Sequence, residues 1–90
     1  IDVLLRYWPD DATVYAVRGG MYQKRRQYEQ ALRDMNRAIE LEPENPDFYI
    51  SRALLYKDFH KKSLATADFR KAVELGASAQ ECASMMLDAE

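Results

Sequence analysis

Apolar positions along this chain recur at helical intervals and are broken by short polar or proline-bearing stretches. Between about Ala12 and Lys24, the residues Tyr15, Arg18, Gly19 and Tyr22 share one face at i, i+3, i+4, i+7 spacing. Val14, Val17 and Met21 form a second stripe roughly a third of a turn away. A helix with two apolar stripes must be covered from two sides, here by the helix that follows and by residues 1 to 9. The partner helix is expected from about Tyr28 to Leu41, with Tyr28, Ala31, Leu32, Met35, Ala38 and Ile39 inward and Glu29, Arg33, Asp34, Arg37 and Glu40 on the solvated side. Asp10 or Asp11 can cap the first of these helices. Pro43 ends the second, and Asn45 followed by Pro46 restarts the pattern as N-cap and first helical residue.

Sliding the chain against itself by 34 residues brings Tyr15 onto Tyr49, Arg18 onto Arg52, Tyr22 onto Tyr56, Ala31 onto Ala65, Asp34 onto Asp68 and Ala38 onto Ala72. Glu40 and Leu41 also fall on Glu74 and Leu75, making eight identities in thirty aligned positions. Ordinary residue usage would give roughly two, so the chain is an internal repeat. The second copy carries Phe48, Tyr49, Arg52, Ala53 and Tyr56, then Leu64, Ala65, Phe69, Ala72 and Val73, and stops at Gly76. Ser78 and Glu81 have capping-box spacing, and Ala79, Cys82, Ala83 and Met86 form the apolar stripe of a last, lid-like helix backed by Gln80, Glu81, Ser84 and Asp88. At the other end, Pro9 precedes Pro43 by the same 34-residue step, so Val3, Leu4, Tyr7 and Trp8 read as the apolar side of a truncated helix. The expected organisation is one domain over 1–90, with the end of a preceding repeat at 1–11, repeats at 12–45 and 46–77, and a capping helix at 78–90. The chain begins at Ile1 and is expected to be part of something longer.

Composition narrows the function more than the fold. A net charge of −2 with 31% charged residues gives no general attraction for nucleic acid or membranes. Cys82 is the lone cysteine, which excludes an internal disulfide and a cysteine-built metal site. Catalysis is not expected, because no phosphate-binding glycine loop, triad or metal-ligand cluster is present, and His60, the single histidine, sits in a lysine-rich turn. No cofactor and no metal are expected. The compartment stays open, with the cytoplasm favoured.

The spacing of Tyr15, Gly19, Tyr22, Ala31, Met35, Ala38 and Pro43 resembles the tetratricopeptide repeat (TPR), with Tyr at the usual Trp place and Met at the usual Phe place. Tyr49, Ala53, Tyr56, Ala65, Phe69 and Ala72 fill the same places in the second copy. Arg18 and Arg52 depart from the pattern at its usual Leu, and Ala77 replaces the proline. The resemblance implies an all-α fold, a right-handed superhelix of antiparallel helical hairpins whose first helices line a concave groove. It implies a scaffold that binds a protein or peptide segment. The groove residues it implies are Thr13, Ala16, Gly20 and Gln23, then Asp47, Ile50, Leu54 and Lys57, which also lie on the side left over after the apolar stripes are assigned. Ala16, Gly20 and Ser51 stand where the family's grip on terminal carboxylates would need asparagine or lysine, so that chemistry is not expected. Ile50 and Leu54 have a second reading, as packing against the last helix.

Arg18 and Asp34 lie eight residues either side of Arg26, and Arg52 and Asp68 lie eight either side of His60. Antiparallel hairpins therefore bring each pair level, and each is expected to be an ion pair within its repeat. Gly19 and Gly20 are expected to serve close helix packing. Lys24, Arg25, Arg26, His60, Lys61 and Lys62 gather in turns within repeats, whereas Asp10, Asp11, Glu40, Glu42, Glu44 and Asp47 gather at junctions. The alternatives to a binding scaffold are a self-associating or docking module, with a homo-oligomer as its form, and a regulatory module attached to an enzyme.

Overall fold

A computed structural model describes residues 2–87, apart from the side chains of 2, 4 and 85–87. The expectations placed on the Leu4 and Met86 side chains and on Asp88 lie outside the described residues. Six helices are present among those residues: α1 (Asp2–Tyr7), α2 (Ala12–Lys24), α3 (Tyr28–Leu41), α4 (Pro46–Asp58), α5 (Lys62–Glu74) and α6 (Ala79–Leu87). They fall into two compact units, Ile1–Pro43 and Glu44–Glu90.

Side chains start three of the helices. Asp11 Oδ1 accepts from the backbone N–H groups of Thr13 at 2.9 Å and Val14 at 3.4 Å. Asn45 Oδ1 accepts from Asp47 N–H at 3.0 Å, with Pro46 supplying a preset first helical residue. Ser78 Oγ accepts from Glu81 N–H at 3.3 Å. Backbone geometry ends three others by one device. After α2, Gln27 N–H donates to Tyr22 C=O at 2.9 Å and Arg26 N–H to Gln23 C=O at 3.0 Å. After α4, Lys61 donates to Tyr56 at 2.7 Å and His60 to Lys57 at 3.1 Å. After α5, Ala77 donates to Ala72 and Gly76 to Val73, both at 3.0 Å. These are Schellman motifs, which need a left-handed residue just past the helix. Gly76 meets that need with φ 112°, whereas Arg26 and His60 meet it with φ 60°.

In the first unit, α3 turns Ala31, Asp34, Met35, Ala38 and Ile39 inward, and α2 buries Ala12 and Gly19. Asp34 was expected on the solvated side of α3, but it is buried, because the Arg18 side chain neutralises it there. A Cβ added at Gly19 would stand 2.9 Å from Met35 Cε and 3.2 Å from the Ala31 carbonyl oxygen, so α2 and α3 approach closely at this point. Gly20 departs from expectation, since a Cβ there would meet nothing within 4 Å. The second stripe of α2 is only partly covered, with Val14 half-buried and Val17 and Met21 exposed. The reason is length. A six-residue helix is about 9 Å long, less than half the span of α2.

The second unit has its core at Ala53, Ala65, Phe69, Ala72 and Cys82, flanked by the partly buried Tyr49, Tyr56 and Val73. Phe48 and Leu55 are also buried. Among the described side chains of the last helix's stripe, Cys82 is buried while Ala79 and Ala83 are exposed.

Candidate functional site

Each hairpin is closed by one repeated cluster. Arg18 Nε donates to Asp34 Oδ2 at 2.8 Å and Nη2 to Oδ1 at 2.7 Å, a two-pronged contact that matches the planar guanidinium to the carboxylate. Arg52 donates to Asp68 in the same way, both contacts at 2.8 Å. The guanidinium of Arg18 also lies 5.8 Å from the Tyr15 ring centre and 5.9 Å from that of Tyr22. For Arg52, the distances to Tyr49 and Tyr56 are 5.6 and 5.8 Å. Two tyrosines one turn before and after the arginine thus hold its charge over ring faces, within cation–π range. Hydrogen bonding to Asp68 raises the Arg52 pKa above its ordinary value. Both arginines are thus engaged within their own hairpins.

The residues expected to meet a ligand are accessible to solvent to different degrees. On α2, Thr13 is exposed, and Ala16, Gly20 and Gln23 are partly exposed. On α4, Asp47 is exposed, and Ile50, Leu54 and Lys57 are partly exposed. Ile50 and Leu54 pack against the core cluster that includes Cys82. Part of their surface is taken by that core, and the remainder is exposed. What α4 offers a ligand is two aliphatic edges between a carboxylate and an ammonium group.

Charge is sorted along each hairpin. Lys24, Arg25 and Arg26 are exposed at one end of the first and Asp10, Glu40 and Glu42 at the other. In the second, His60, Lys61 and Lys62 stand opposite Glu44 and Asp47. Among the described residues, no group of three or more His, Cys, Asp or Glu side chains could hold a metal ion. Among them, no helix is long and apolar enough to cross a membrane.

A family model described as TPR repeat matches residues 19–58, from the close-packed glycine of α2 through α3 to the end of α4. The chain belongs to the tetratricopeptide-repeat family. Such TPR units are non-catalytic and generally mediate contacts between proteins. Over 70 residues, 78% of its length, this TPR chain is 33% identical to the UDP-N-acetylglucosamine--peptide N-acetylglucosaminyltransferase of Giardia intestinalis. It spans only 5% of that protein.

Two features of the TPR hairpins were missed at the level of sequence. The tyrosine sandwich around each arginine was present as the i−3 and i+4 neighbours of Arg18 and Arg52, but the tyrosines were read only as apolar packing. Tyr7 and Trp8 were read as the apolar side of a helix. Both are exposed, and they line a surface cleft with Asp10, Asp11 and Glu42.

Proposed function

We propose that this chain is a non-enzymatic scaffold that holds a peptide or protein segment on the outward side of its first helices. The contacts are Ile50, Leu54 and Lys57 with Asp47 on α4, and Thr13, Ala16, Gly20 and Gln23 on α2. The observation that carries the reading is the outward aliphatic surface of Ile50 and Leu54 on a TPR helix whose inward side is already occupied. Polar and small groups on α2 and a paired acid and base on α4 favour an extended, modestly apolar segment over a strongly charged one. Burial of two aliphatic edges contributes about 1–3 kcal/mol at the usual ~25 cal/mol per Å2.

The test is an array of defined peptides probed with the wild-type chain and with Leu54→Asp. Peptides retained by the wild type and lost at least tenfold in the variant support the reading. Retention indifferent to Leu54→Asp would move the contact elsewhere.

A second reading is favoured by one comparison. The Giardia relative is named as a transferase acting on peptide, and this chain matches only a small part of it. In a protein of that kind, the same surface would present a partner to an enzyme lying outside these residues.

A further inference from the structure

The cleft in the first unit is not used by either hairpin cluster. It has a volume of about 520 Å3 and is lined by Tyr7, Trp8, Asp10, Asp11 and Glu42. The two aromatic rings stand 6.2 Å apart between centres and are tilted by 59°, so they form two walls rather than a stack. They are left 71% and 55% exposed, an unusual amount of aromatic surface to leave in water. Asp11 caps α2 through Oδ1. Asp10 meets the Arg37 guanidinium at 3.4 Å in an exposed and loose contact that an incoming cation can replace.

We infer that this cleft binds a lysine or arginine side chain of a partner polypeptide, with the charged head between the Tyr7 and Trp8 rings and the carboxylates of Asp10 and Glu42. Ring faces attract cations, and three carboxylates on the same rim repel an anionic occupant and make an apolar plug costly to desolvate. The stem of lysine or arginine lies along aromatic surface while its head stays near water, which suits walls that are half exposed. The nature of the occupant, a polypeptide, rests on the protein-binding reading above. The site itself does not.

Trp8 is the sole tryptophan of the chain, so its fluorescence reports on this cleft directly. The probes are capped glycine–serine pentapeptides with a central lysine, arginine or acetyl-lysine. Lysine and arginine peptides should give a saturable change with a dissociation constant on the order of 1 mM. Glu42→Gln should weaken it about threefold or more, and raising the salt should weaken it further. The acetyl-lysine peptide should give none. An equal response to acetyl-lysine, or no saturation with either cationic peptide, would overturn the proposal. So would a Trp8 signal that changes on diluting the protein alone and disappears in Lys61→Ala/Lys62→Ala, because a second copy would then fill the cleft. Circular dichroism of Glu42→Gln identical to wild type ensures that its effect is read on folded protein. Saturation at Trp8 with no Leu54-dependent array binding leaves the cleft standing and removes the α4 site, and the reverse result removes the cleft alone.

Discussion

At the scale of single residues, the arginine–aspartate pairs set the largest expected losses, and burial decides which partner matters more. The side chains of Asp34 and Asp68 are 5% and 8% exposed, against 23% and 20% for Arg18 and Arg52. Removing the arginine strands a carboxylate out of water, whereas removing the aspartate leaves a guanidinium that still has two tyrosine rings and some solvent. Arg18→Ala should therefore cost about 3 kcal/mol and Asp34→Ala about 2 kcal/mol, or roughly 10–20 °C in melting temperature for a chain of this size. The double change Arg18→Leu/Asp34→Ala should recover much of the loss, since the penalty for an unpaired buried charge is gone. Thermal melts of the three variants check this, and equal losses for the two single changes would contradict the burial argument. Cys82 supplies a pH dependence. Burial first, and then the neighbouring Glu81 charge, push its thiol up. The unfolded chain therefore loses this proton before the folded one, so stability is full below roughly pH 8.5 and declines above it. Cys82→Ala should flatten the decline in denaturant midpoints measured between pH 8 and 10, whatever it costs at neutral pH. A decline of unchanged slope would assign the effect to other groups.

At the scale of helices, the boundaries of α2 and α3, the start of α4 and the pairing of each arginine with its aspartate were legible in the spacing. Periodicity, proline position and equal distances about a turn are all local properties of the chain. Less legible was what depends on distances between elements. Gly19 and Gly20 are adjacent and look alike in sequence, yet only Gly19 faces Met35 and the Ala31 carbonyl. The candidate ligand face of α4 was readable as a list of residues, but the share of Ile50 and Leu54 taken by the core was not, because it is set by how α4 packs within its unit. The cleft beside Trp8 was unreadable for the same reason, since Glu42 reaches it from the far end of α3. The glycines give a clean comparison. Gly20→Ala gains helix propensity with open space around it and should raise the melting temperature by about 4–8 °C. Gly19→Ala should gain less, because a backbone oxygen must yield. Gly76→Ala should lower the melting temperature, since φ 112° is closed to alanine. If the three changes are indistinguishable by calorimetry, the close approach and the left-handed cap are both misassigned.

At the scale of the whole chain, the two hairpins share one fastening. Arg18 with Asp34 and Arg52 with Asp68 have the same two-pronged geometry, and the same pair of tyrosines flanks each arginine. Chemistry of this kind cannot tell one partner helix from the other, so α2 would accept α5 and α4 would accept α3 through the same contacts. Discrimination falls to chain connectivity. The link between α2 and α3 is only residues 25–27, and closing so short a loop costs far less entropy than bringing distant helices together. A long flexible insertion after Arg26 removes that advantage and breaks the Schellman cap at the same point. Such a variant should exchange helices between chains and run as a concentration-dependent dimer on sizing columns, whereas the same insertion after Gly76 should leave a monomeric chain monomeric. The three-residue turns thus act as the address that a duplicated lock lacks.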